Sequence, residues 1–207
     1  MRTARHLGYN TQGGGRPVFA LFKRRKKEKK NSNRIFAISA QEGDIEAMKN
    51  MIIEILQNSA SKDIIFLCIG SSRSTGDSLG PMVGSMLKEK GVSFHVFGTM
   101  DEPVHALNLN AALENIHNKF ADPLIFPIDA SLGDASQVGE IYLMKGPLVP
   151  GRAANQTLHP IGEHHIRAVV NELDPLLPEK SLTEANMEDI STLAGLITEV
   201  LSSIKLK

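Results

Sequence analysis

Two aspartates stand where an α/β protein presents its ligands. Asp77 falls in the loop SSRSTGDS (71–78), directly after the apolar run DIIFLCIG (63–70), and Asp129 closes the run DPLIFPIDA (122–130). Runs of that length read as strands buried on both faces of a parallel sheet. Ligands of open α/β sheets lie beyond the carboxyl ends of the strands, where the strand order reverses. With these strands in the order two, one, three, the first and third are neighbours, and both aspartates reach one cleft. Carboxylates a few ångströms apart resist double ionisation, so one is driven toward its protonated form. The pair then offers a base that activates water against a carbonyl and an acid that protonates the leaving group. The same two groups would also suit a divalent metal. The bland uses are as definite: Asp77 as the N-cap of the next helix, and Asp129 as a strand-end residue bonded to backbone amides.

Other chemistries lack their residues. A P-loop needs G-x-x-x-x-G-K-[ST], whereas Gly70 and Gly76 are separated by five residues and Asp77 occupies the lysine position, where it would repel phosphate. The stretch Gly70-Ser71-Ser72-Arg73-Ser74 lacks the second glycine of a G-x-S-x-G nucleophile elbow. There is no HExxH, CxxC or GxGxxG, and no zinc spacing. The single cysteine, Cys68, lies inside IIFLCIG and reads as a core residue. One cysteine allows no intrachain disulfide, which fits a reducing compartment.

The elements that must position the aspartates follow from periodicity. Ile45, Met48, Ile52, Ile55 and Leu56 recur at helical spacing within 42–60. LGPMVGSMLKEKG (79–91) reads as a helix with Pro81 in its first turn and Gly91 past its end. VSFHVFG (92–98) reads as a strand, ALNLNAALENIHNKF (106–120) as a helix, GEIYLMKG (139–146) and EHHIRAVVNE (163–172) as strands, DPLLPEKS (174–181) as a break and 184–206 as a closing helix. Alternating strands and helices predict a three-layer α/β/α domain with a mainly parallel sheet over residues 40–207. The loop 146–162 is long enough to be functional.

Net charge is zero over 207 residues, but residues 1–30 hold ten Lys/Arg and one Glu, against thirteen Lys/Arg and twenty-two Asp/Glu in the remainder. Residues 1–34, with TQGGGRP and KRRKKEKKN, read as a disordered basic tail, a solubilising extension more readily than a nucleic-acid tether. No apolar stretch approaches the roughly 18 residues of a membrane span, and VFALF (18–22) is too short for a signal peptide, so a cytoplasmic protein is expected.

The stretches CIGSSRSTGDSLGP, FGTMDEPVHALNL, IDASLGD, VGEIYLMKGPLVPG and IRAVVN, spread over 64–171, resemble those of the YyaC-type sporulation proteins of spore-forming Firmicutes. That family is similar to the spore germination protease and, more distantly, to the hydrogenase maturation endopeptidases. The resemblance implies a phosphorylase/hydrolase-like α/β fold. An aspartate of the germination protease before an A-L-G-P turn falls on Asp77 of GDSLGP, and a second, in a D-A motif, falls on Asp129 of IDASLGD. The acidic residue and aspartate with which the maturation peptidases grip nickel fall on the same two positions. Their histidine has no clear counterpart among His105, His159, His164 and His165, which counts against a metal site.

The expectation is a cytoplasmic, germination-protease-like endopeptidase of sporulating cells that hydrolyses a peptide bond of a spore protein, with Asp77 and Asp129 catalytic and no cofactor. Ser72, Arg73, Ser74 and Thr75 would orient Asp77 or bind substrate backbone, with Thr99 and His105 lining the site from the next loop. Asp101 lies on that loop too, and Asp134 faces solvent. The alternative is a non-catalytic binding protein that keeps a peptidase-like cleft.

Overall fold

A computed structural model of the chain describes residues 33–38, 42–61, 63–150 and 159–206. The basic tail up to position 32 and the middle of the loop 146–162 lie outside the described residues.

The chain runs β1 (Arg34–Ile38), α1 (Glu42–Gln57), β2 (Ile64–Cys68), a 3-10 turn (Gly76–Ser78), α2 (Leu79–Glu89), β3 (His95–Phe97), α3 (Leu109–Lys119), β4 (Leu124–Gly133), β5 (Ile141–Lys145), β6 (His164–Glu172), α4 (Pro178–Thr183) and α5 (Met187–Ser202). The six strands form one sheet in the order β1-β5-β6-β4-β2-β3. β3, β2, β4 and β6 pair in parallel, and β5 is antiparallel to both of its neighbours. β2 has β3 on one side and β4 on the other, so the strand order reverses at β2.

Every residue of β2 is buried. Alternation sends Phe66 and Cys68 to one face, and Ile65 and Leu67 to the other. The first face packs against the apolar stripes of three helices: Met48, Ile52 and Leu56 of α1, Leu79, Val83 and Leu87 of α2, and Ile190, Leu193 and Ile197 of α5. The second packs against Leu109 and Ile116 of α3. Each such side chain, once buried, contributes about 1.5–3 kcal/mol. Cys68 is fully buried, and desolvation pushes its thiol well above the ordinary range, so it stays a packed, protonated core residue.

Three details depart from the sequence pattern. β1 joins the sheet as its edge, although no expected element covered 34–38; its pairing with β5 is held by Arg34, which stacks 4.0 Å from the Tyr142 ring and pairs with Glu140. The expected break at 174–181 contains α4, begun by Pro178 at a first-turn position where a missing N–H costs nothing. β4 does not close at Asp129 but continues to Gly133, because β6 still offers it partners there.

Candidate active site

β2 and β4 pair from Ile64↔Leu124 to Cys68↔Ile128, and the Ile69 N–H donates one more bond to the Ile128 carbonyl at 2.8 Å. β2 then ends while β4 runs on beside β6, with Asp129 opposite Arg167. Asp129 is therefore the first residue of β4 beyond its pairing with β2, on the floor of the crevice opened by the missing strand.

The loop that brings Asp77 to the same end of the sheet is tied at both its ends. Gly70 has φ +147°, and an added Cβ would lie 2.0 Å from the Asp77 carbonyl oxygen, which accepts a 3.0 Å bond from the Ser71 N–H. Gly80 lets the first turn of α2 rest on β2: a Cβ there would lie 2.1 Å from the Ile69 carbonyl oxygen. Between them the Ser78 hydroxyl donates to the Thr75 carbonyl at 2.6 Å and closes the 3-10 turn that carries Asp77. Ser78, not Asp77, occupies the N-cap position of α2, and no described donor binds the Asp77 carboxylate. The capping use of Asp77 is thereby removed.

Asp129 is held far from its ordinary titration. Burial raises its pKa, and the neighbouring Asp77 charge raises it further. Arg167 and a bond from the Ala130 N–H pull it back only in part, leaving it at about 7. Asp129 keeps part of its surface open while lying deep among protein atoms. A carboxyl group protonated near neutrality beside a second carboxylate is the arrangement general acid–base chemistry requires.

Residues 36–200 match a protein family described as "Protein of unknown function (DUF1256)". The chain belongs to the DUF1256 family. It is 35% identical over 156 residues to "Uncharacterized protein YyaC" of Bacillus subtilis (strain 168), a match covering 75% of this chain and 76% of that protein. Among solved structures it is similar to the [NiFe] hydrogenase maturation protease HycI from Thermococcus kodakarensis KOD1, at 18% identity and a TM-score of 0.45, over 73% of this chain and 98% of that one.

The span shared with DUF1256 holds Asp77, Asp129 and Arg167. The other anticipated residues divide. Ser72 and Arg73 are exposed on the Asp77 loop, where the Arg73 N–H donates to the Ser71 hydroxyl at 3.4 Å. Ser74 and Thr75 are half-buried on the same loop. Thr99 is buried, and its hydroxyl accepts from the Glu102 N–H at 3.0 Å, closing a turn after β3. His105 lies on the same connection, its Nδ1 accepting from the Leu107 N–H at 3.3 Å. It lines a hollow of about 750 Å³ beside the edge strand β3, with Phe97, Pro103, Asn108 and Phe120, and neither aspartate lines that hollow. Asp134 is exposed, as is His159. His165 is buried with its Nδ1 2.9 Å from the Gly146 carbonyl oxygen, and burial lowers its pKa and that of His164. Among the described residues, no three His, Cys, Asp or Glu side chains are grouped to hold a metal ion. Among them too, no helix is long and apolar enough to cross a membrane.

Sequence reasoning passed over Arg167. The signal was present in HHIRAVVN: a charged residue inside an otherwise apolar strand needs a reason. Alternation within that strand turns Ile166 and Ala168 to the three-helix core and Arg167 to the opposite face, the face of Ile125 and Asp129.

Proposed function

We propose that this DUF1256 domain hydrolyses peptide bonds through a shared-proton aspartate pair, with a spore protein of the producing cell as its substrate. The observation that carries this reading is the Asp129 carboxyl, brought to a pKa of about 7 by burial and by Asp77 at the switch point of the sheet. Asp129 holds the shared proton and acts as the acid. Asp77, free of capping duties, is the base that takes a proton from the attacking water. The resemblance of GDSLGP and IDASLGD to the aspartate motifs of the germination protease supports the same two residues, and a substrate in sporulating cells is supported by that resemblance alone. The fold itself does not choose among chemistries.

The test is to incubate the purified chain with a lysate of sporulating cells and compare the new peptide termini, by mass spectrometry, with those formed by Asp77→Asn and Asp129→Asn. Cleavages made by the intact protein and absent from both variants are expected, and they name the substrate. Equal peptide patterns from three folded proteins would leave the crevice as a binding site for a protein partner, the competing reading.

A further inference from the structure

Two buried side-chain atoms among the described residues have no hydrogen-bond partner: the Oγ of Ser74 and the Nε of Arg167. Both belong to the elements that carry the aspartates. Ser74 stands three residues before Asp77 in the same tied loop, and Arg167 is the strand partner of Asp129. Buried polar atoms are almost always satisfied, because an orphaned donor loses its water and gains nothing, at a cost of about 1–3 kcal/mol. Two orphans at one end of one sheet point to a partner that arrives with the substrate.

The chemistry of the two atoms says what the partner offers. A guanidinium only donates, and its planar fork suits an oxygen bearing negative charge. Arg167 is near enough to Asp129 to oppose the rise in its pKa, yet no ion pair within 4.0 Å joins them; the described ion pairs leave Arg167 out. Its other flank faces Tyr142 of β5, whose hydroxyl is taken up by Glu140. Neither neighbour captures the fork. A hydroxyl donates and accepts, so Ser74 can supply a second donor to the same oxygen.

We infer that Arg167, with Ser74, forms the subsite that receives the carbonyl oxygen of the bond being cleaved and holds its negative charge. This rests on the peptidase reading above. As Asp77 removes a proton from water, the water oxygen bonds to the carbonyl carbon and the C=O electron pair moves onto the carbonyl oxygen, facing Arg167. Collapse re-forms the C=O, breaks the C–N bond, and the departing nitrogen takes the proton of Asp129. The proton gained by Asp77 then passes to Asp129 and restores the pair. Arg167 leaves the Asp129 proton free for the nitrogen, since the oxyanion needs none. The charges agree: one proton on two carboxylates leaves a single negative charge, which the guanidinium balances before substrate enters.

Methylphosphonate, a tetrahedral anion, is the probe. At pH 6 the Arg167 Nε–H resonance, assigned by its loss in Arg167→Met, should shift on titration in the full-length protein and in Asp77→Asn, and Arg167→Lys should bind the probe at least about tenfold more weakly. An Nε–H resonance that stays still up to tens of millimolar overturns the subsite whether or not the protein cleaves anything. On a peptide cleaved in the lysate experiment, Arg167→Met should lower kcat about 100-fold with KM nearly unchanged, and free guanidinium should restore part of the rate. An unchanged kcat, or a loss confined to KM, overturns the oxyanion role. Absence of cleavage by the wild type, with the resonance shifting, removes the peptidase reading and leaves Arg167 an anion-binding group.

Discussion

Two regions border the carboxyl-terminal half of the sheet, and they differ in what their polar groups are doing. The one beside β3 encloses about 750 Å³ and is lined by His105, Asn108 and aromatic rings. Its polar groups are engaged locally: the Asn108 side chain takes the His105 N–H and donates to Pro103, and His105 takes the Leu107 N–H. Lys88 is within 3.9 Å of Glu102. The crevice between β2 and β4 holds a carboxyl displaced to about 7, and the two buried orphan atoms belong to its neighbouring elements, Ser74 to the Asp77 loop and Arg167 to β6. Volume marks where a ligand would fit, whereas unbalanced charge and missing hydrogen bonds mark where the fold has accepted a cost. Folded proteins keep such costs where function needs them. That contrast supports the reading proposed above, with the crevice as the reactive region and the β3 hollow outside it.

Breaking the crevice should show this most sharply. Asp77→Asn and Asp129→Asn should each lower cleavage by at least about a thousandfold while circular dichroism stays native, because each removes one half of the proton transfer. In the wild type, kcat/KM should fall as pH rises through about 7, where Asp129 loses the proton it must donate.

Next in size is the support of the Asp77 turn. Gly80→Ala places a methyl 2.1 Å from the Ile69 backbone oxygen, which cannot move without disturbing β2. A loss of about 3 kcal/mol is expected in chemical denaturation, with cleavage impaired in the fraction still folded.

The cost stored in Asp129 should itself be measurable. Its folded pKa is raised, so the folded state holds a proton that the unfolded state has released, and stability falls as pH rises from about 4 to about 7. Asp129→Asn abolishes that dependence. The variant's stability relative to the wild type should rise by about 2–3 kcal/mol between pH 5 and pH 8, read as a melting-temperature difference that widens by several degrees over that range. A variant less stable at both pH values would mean that Asp129 holds the fold rather than strains it.

The smallest effect belongs to the other region. His105→Ala should cost about 0.5 kcal/mol and leave the cleavage rate within about twofold, since it removes one weak local bond at an exposed loop. A large loss of activity would place the β3 hollow in the substrate path and erase the contrast.

Much of this crevice was legible in the one-dimensional pattern. IIFLCIG reads as a doubly buried strand, and a strand, loop and helix in series put the loop at the strand's carboxyl end, which delivers Asp77. The mainly parallel sheet followed from the βαβ alternation, whereas the adjacency of β2 and β4 rested on taking the strand order as two, one, three, the order the sheet has. What was not legible needed register and competition between partners. Arg167 is 38 residues from Asp129 in the chain and is set beside it by the β4–β6 ladder alone. β4 outran its turn-like SLGD sequence because β6 supplied hydrogen bonds past Asp129. β1, short and only partly buried, acquired its place from β5 and the Arg34–Tyr142–Glu140 contacts. His105 is only eight residues beyond the end of β3, yet the bridge of Val104 to Ile69 turns it toward the edge hollow. Local sequence determines which elements form and what they carry to their ends. The pairing of distant strands, whose energies depend on partners the local pattern does not contain, decided which side chains meet there.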